Sequence, residues 1–178
     1  MGNTIYCVMG KSGAGKDTVV NDLCAKTGLR RLNSYTTRPS RGPGDLHEFV
    51  ESYEVWLANN ADDPVVAYTF FNGNHYWASQ SQVEHADLYV IDPDGVEWFR
   101  TRYQGTKKIR AIYIDVPWHK RFVRMLRRGD GVQQAWRRIV HDHNKFKGAT
   151  KQADYIVRND DAVQCMWELA LITKGELG

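Results

Sequence analysis

A chain of 178 residues with 42% hydrophobic content has the size of one domain and enough apolar residues to bury a core. Its 24 basic residues nearly balance 21 acidic ones, leaving a formal net charge of +3. That excludes the strongly basic face of a nucleic-acid-coating protein and favours a local basic site for a small anionic substrate. No stretch approaches the roughly 20 apolar residues of a membrane span, and no signal peptide opens the chain. A cytoplasmic protein without membrane or nucleic-acid partner is therefore expected. Cys7, Cys24 and Cys165 are widely spaced and lack a metal-ligand pattern, so they read as reduced core thiols.

In chain order, the apolar run Thr4–Met9 reads as a strand and leads into Gly10-Lys11-Ser12-Gly13-Ala14-Gly15-Lys16-Asp17-Thr18. A helical pattern, Asp17–Lys26, follows. Strand, glycine-rich loop and helix in this order form a phosphate-binding loop. Its glycines let successive N–H groups turn inward around a polyphosphate at a helix N-terminus, and Lys16 supplies a mobile cation. Asp17 stands where Ser or Thr usually follows the lysine and helps to hold Mg²⁺, so Asp17 or Thr18 is the expected metal contact.

From Ser34 to Gln82 the pattern turns loop-rich and aromatic, which suggests an inserted subdomain. Strand candidates are Val65–Phe71, Leu88–Asp92, Ile109–Asp115 and Tyr155–Val157. Helical patterns cover Gly95–Tyr103, Trp118–Arg127, Gln133–Lys145 and Asp161–Lys174. The alternation predicts an α/β fold, a parallel sheet flanked by helices, with ligands at the carboxyl ends of its strands.

The insertion opens on Ser34-Tyr35-Thr36-Thr37-Arg38-Pro39-Ser40-Arg41-Gly42. Two arginines three residues apart beside hydroxyls suit a second phosphate, because guanidinium forks grip phosphate oxygens bidentately. A solvated basic loop is the alternative on those residues alone.

The two motifs together resemble the guanylate kinase family, with the phosphate loop and Ser34-x-Thr36-Thr37-Arg38-x-x-Arg41 at the separation that family shows. The resemblance continues through Phe71-x-Gly73-Asn74-x-Tyr76, Val90-Ile91-Asp92-x-Asp94-Gly95-Val96, Arg127-Arg128-Gly129 and Val157-Arg158-Asn159-Asp160. It implies a P-loop kinase using ATP and Mg²⁺ on a small-molecule nucleotide, as monomer or homodimer. Its expected parts are a core (1–33, 83–125 and 146–178), a monophosphate-binding subdomain (34–82) and a mobile lid (126–145).

By the same resemblance, ATP is held by Gly10, Ser12, Gly13, Ala14, Gly15, Lys16, Asp17, Thr18, Arg128 and Asn159. Ser34, Arg38, Arg41, His47, Tyr76, Asp92 and Asp94 serve the acceptor. Lys16, Arg38, Arg128 and Arg138 are the implied catalytic cations, and Asp17, Thr18 and Asp92 the implied metal ligands.

Departures from the family pattern bear on the substrate. His47 stands at a family tyrosine, the loop from Gly42 to Leu46 and the turn after Asp94 are short, and Ala67 replaces a glutamate that reads guanine N–H groups. Base choice is expected to be relaxed or redirected from GMP, with a sugar-phosphate kinase or a non-catalytic interaction module as alternatives; the intact Gly15-Lys16 argues against the module. His141-Asp142-His143 lies on one helix with divergent faces, which disfavours zinc. Trp77 is read either as packing or as a base-stacking residue. Arg124, Arg127 and Arg137 read as solvated helix face.

Overall fold

The computed structural model describes residues 3–42 and 44–175. In chain order its elements begin with β1 (Thr4–Met9), α1 (Lys16–Thr27), β2 (Arg31–Leu32), β3 (Tyr35–Thr36) and β4 (Glu48–Phe49). There follow α2 (Tyr53–Asn59), β5 (Val65–Phe71), β6 (Asn74–Ser79), α3 (Gln80–Glu84), β7 (Leu88–Val90) and α4 (Pro93–Arg102). The chain continues with β8 (Lys108–Asp115), α5 (Trp118–Arg127), α6 (Val132–Lys145), α7 (Ala149–Gln152), β9 (Tyr155–Arg158) and α8 (Ala162–Thr173).

Five strands form a parallel sheet in the order β2-β7-β1-β8-β9. Because β1 is central and covered on both faces, its side chains split between two cores instead of alternating in and out of water. Ile5, Cys7 and Met9 pack towards Val96 and Phe99 of α4. Val8 packs on the opposite face with Val19, Val20 and Leu23 of α1 and Met166 and Leu169 of α8. Burial pushes the Cys7 thiol up to about 12, as suits a core residue.

The helix boundaries have local causes. Gly15 precedes α1 in the left-handed region, and Gly28 closes it with its N–H on the Cys24 carbonyl. Asp92 caps α4 by accepting from the Gly95 N–H, with Pro93 in the first turn. Asp161 caps α8 in the same way through the Gln164 N–H.

Val65–Phe71 forms as expected but does not join the parallel sheet. It lies in a second, four-stranded sheet of order β4-β3-β6-β5, antiparallel to β6. The Asn72-Gly73 pair between them has φ of 52° and 75°, the positive values that a two-residue hairpin turn requires. The insertion is thus a small sheet with helices α2 and α3, more regular than its loop-rich composition suggests. Among the described residues no helix is long and apolar enough to cross a membrane.

Candidate functional site

The loop between β1 and α1 is shaped by close approaches that only glycine permits. A Cβ on Gly13 would fall 2.7 Å from the Arg121 carbonyl oxygen, and one on Gly15 would fall 2.8 Å from the Asn159 amide nitrogen; both residues have positive φ. Asn159 donates to the Ala14 carbonyl at 2.8 Å from the end of β9. Arg121 of α5 donates to the Ser12 carbonyl at 3.1 Å, while Asp142 of α6 accepts from the Ser12 N–H at 2.7 Å. The N–H and the carbonyl of one loop residue, Ser12, are therefore held by buried side chains, Asp142 and Arg121, which also pair with each other at 3.3 Å. Lys16 starts α1 and folds back to the Gly10 carbonyl at 2.6 Å. Burial lowers its pKa, against the raising influence of Asp17, Asp142 and Asp92.

Two cavities meet at this loop. One, of about 480 Å³, has Gly13, Gly15, Lys16, Asp17 and Thr18 on one side and Arg41, Arg124, Arg128 and Arg138 on the other, with Asn159 beside them. The concentration of cations along this cavity gives it the charge to attract a polyanion. Arg128 and Arg138 both reach Asp130, at 2.7 and 3.5 Å.

The other, of about 260 Å³, runs from Gly10, Ser12 and Lys16 to Ser34, His47 and Tyr76. Its far wall contains Tyr68, Thr69 and Phe71 of β5, Asp92, and His141, Asp142 and Lys145 of α6. Lys16 and Ser12 line both cavities.

Arg38 is buried and bound bidentately to Asp45, at 2.7 and 3.0 Å. The Arg38 hydrogen bond, opposed by burial and aided by the Arg41 N–H and His47, holds the Asp45 carboxyl far below the usual carboxylate range. His47 touches both partners, 2.9 Å from Asp45 and 3.2 Å from Arg38. Burial and the Arg38 charge lower its pKa despite Asp45. A third hollow lined by Arg38, Arg41, Asp45 and His47 adjoins Asp17 and Arg31.

Of the residues expected at the acceptor, Ser34, His47, Tyr76 and Asp92 line the second cavity, whereas Arg38 lines the third hollow and Arg41 the third hollow and the first cavity. Asp17 is bound to Arg31 at 2.5 Å through one oxygen, and its side chain is largely exposed. Asp92 has both oxygens engaged, one by Gly95 N–H and Thr69 hydroxyl, the other by Lys145 at 2.7 Å. Its carboxylate therefore serves as a helix cap and ion-pair partner. Asp94 is exposed and outside the lining of the second cavity. Trp77 is fully buried between Tyr35, Tyr53 and Trp56, so it packs and does not stack on a base. Arg124 is not solvated helix face: it donates to the Asn159 carbonyl at 2.8 Å and lines the first cavity. Among the described residues no group of His, Cys, Asp or Glu could hold a metal by itself, His141-Asp142-His143 included.

Sequence reasoning missed Arg121, Asp142, Lys145, Asp45 and Thr69. One signal was available for the α6 pair: Asp142 and Lys145 are three residues apart and so share a face, one turn reaching both the loop and Asp92.

Comparison with known proteins agrees with this geometry. The guanylate kinase family model matches residues 2–175. A guanylate kinase of Alkalilimnicola ehrlichii is 28% identical over 97% of this chain and 88% of its own length. One from Paraburkholderia xenovorans is 27% identical over 93% and 76%. The crystal structure of guanylate kinase from Anaplasma phagocytophilum shares the fold at a TM-score of 0.64, with 21% identity over 97% of this chain and 86% of that one. Matched along nearly its entire length, the chain belongs to the guanylate kinase family.

Proposed function

We propose that the protein transfers the γ-phosphoryl group of ATP to the 5′-phosphate of a nucleoside monophosphate, with base choice relaxed from strict GMP use. The observation that carries this reading is the position of Lys16 in the wall common to both cavities. A donor polyphosphate in the arginine-lined cavity and an acceptor phosphate near Ser34, His47 and Tyr76 would meet at its ammonium group. Phosphoryl transfer needs alignment and charge neutralisation more than covalent help from the protein. Lys16 supplies charge at the junction, and Arg124, Arg128, Arg138 and Arg41 supply it around the donor. Arg38 and Tyr76 orient the acceptor from the insertion.

Mg²⁺ fits the donor side of this arrangement. It keeps several waters and needs only one or two protein oxygens besides phosphate. Thr18 and the Asp17 oxygen not bound to Arg31 line the donor cavity and can hold it, whereas both Asp92 oxygens are taken. The ion would neutralise charge on the donor phosphates.

Ala67 is fully buried in the core and lies outside the lining of the acceptor cavity; Thr69, on the same strand, lines it and offers a hydroxyl in place of a carboxylate, which supports relaxed base choice. The two carboxylates in the acceptor cavity, Asp92 and Asp142, are already engaged. Steady-state kinetics with ATP, Mg²⁺ and a panel of nucleoside and deoxynucleoside monophosphates tests the reading. GMP is expected to exceed the best alternative acceptor by less than about 100-fold in kcat/KM. A much larger margin would show that another group replaces the glutamate.

A further inference from the structure

We propose that Lys145 and Thr69, fixed by Asp92, select the acceptor base: they accept an oxo group beside a ring N–H and reject an amino group beside an unprotonated ring nitrogen. The preferred acceptors are then guanine, hypoxanthine, uracil and thymine nucleotides, and the disfavoured ones are adenine and cytosine nucleotides. This rests on the kinase reading above.

The argument begins with proton bookkeeping at one carboxylate. Thr69 donates its only hydroxyl proton to Asp92 Oδ1 at 3.0 Å, so its remaining capacity is as an acceptor. Lys145 sits 2.7 Å from Asp92 Oδ2, and an ammonium carries three N–H donors and no acceptor. Asp92 itself is held in place as the cap of α4. A single carboxylate therefore fixes one neighbour as acceptor and the other as donor, and both line the same cavity.

That polarity reads a base edge in one sense. An oxo group faces the Lys145 donors while the adjacent ring N–H faces the Thr69 oxygen. The edges of adenine and cytosine present the reverse, an amine towards the ammonium and a lone pair towards an oxygen lone pair. Lys145 is only 15% exposed and lies 4.9 Å from the centre of the Phe71 ring, so a mismatched edge leaves its donors poorly solvated. The helix cannot easily withdraw the lysine, because Asp142, one turn earlier, is bound to the Ser12 N–H and Arg121. With Asp92 and Asp142 both engaged, the 2-amino group of guanine finds no carboxylate, so hypoxanthine serves as well as guanine.

The test is kcat/KM for GMP, IMP, UMP, dTMP, AMP and CMP in the unmodified protein and in Lys145→Met, Lys145→Gln and Thr69→Val. The unmodified protein is expected to prefer oxo over amino acceptors by at least about 100-fold, with GMP and IMP comparable. Lys145→Met should lose at least about tenfold of that preference; Lys145→Gln, whose amide both donates and accepts, should raise AMP and CMP relative to GMP. Thr69→Val should weaken the preference through the other half of the pair, which keeps the test decisive should the lysine variants not fold. AMP or CMP matching GMP in the unmodified protein, or a preference untouched by these substitutions, overturns the proposal while leaving kinase activity intact. GMP far ahead of IMP overturns it by revealing a free acceptor for the 2-amino group. Failure to phosphorylate any monophosphate overturns the kinase reading and this inference together. If only the oxopurines or only the oxopyrimidines react, the edge reading stands and cavity size accounts for the difference.

Discussion

The proposed function places the Lys16 ammonium among phosphates; in the structure it donates to the Gly10 carbonyl, and the side chain belongs to neither hydrophobic core. Lys16→Ala is expected to lower kcat at least about 100-fold, as removal of a group that stabilises transition-state charge does, while leaving the circular dichroism spectrum unchanged. A folded variant with normal turnover would remove the loop from the mechanism. Arg38 and Arg41 separate in the structure. Arg38 is locked to Asp45, so Arg38→Ala should cost acceptor binding about 1.5–3 kcal/mol, lower the melting temperature by stranding a nearly buried carboxylate, and spare ATP. Arg41 is exposed and lines the donor cavity too, so Arg41→Ala should weaken both ligands in separate titrations.

The same cluster sets a pH dependence. Burial and Arg38 depress the His47 pKa in the folded chain, so the stability that neutral His47 confers is complete above its ordinary value of about 6.5 and is lost below it. Asp45, depressed by Arg38, contributes stability that is complete above about 3.8 and is lost as the pH falls further. Melting temperature should therefore fall in two acid windows, the upper one flattened by His47→Gln and the lower by Asp45→Asn. A single acid transition unchanged by either variant would contradict the coupling.

At the scale of elements, the insertion is held by an aromatic cluster whose centre is Trp77, with Tyr35, Tyr53 and Trp56 at centroid distances of 4.9–5.5 Å. Trp77→Ala should destabilise by about 3–5 kcal/mol in chemical denaturation, the cost of an unfilled aromatic site. A loss under about 1 kcal/mol would mean that the tryptophan is not central to packing. The core strands were legible because a covered parallel sheet reads as unbroken apolar runs, as Thr4–Met9 and Ile109–Asp115 do. The two-residue strands β2, β3 and β4 are too short for any periodicity to mark. The hairpin of β5 and β6 was marked only by Asn72-Gly73, which the notable aromatic content around it obscured. Arg121 and Arg124 sit on an amphipathic helix, where charge alone suggests water. Their long stems instead carry the guanidinium groups back onto the phosphate loop.

Over the whole molecule, three of the cations that the proposed function assigns to transfer are engaged with carboxylates supplied by their own segments. Arg38 binds Asp45 within the insertion, and Arg128 and Arg138 bind Asp130 at the α5–α6 turn. To neutralise phosphates these groups must turn inward from two separate segments, and water must be excluded from the junction at Lys16. The segments 34–82 and 126–145 are therefore expected to close when donor and acceptor are both bound. The contacts already made by α6 refine where. Asp142 and Lys145 are docked on the phosphate loop and on Asp92, so the end of α6 should change little while the stretch around Arg128 and Arg138 moves most. Hydrogen exchange with a bisubstrate analogue, in which adenosine and the acceptor nucleoside are joined by a phosphate chain, provides the measurement. Protection should rise in residues 34–50 and 127–138 and stay nearly constant in 140–145. Uniform protection across α6 would show that the helix docks as a unit, and no change in either segment would contradict closure as the step that assembles the site.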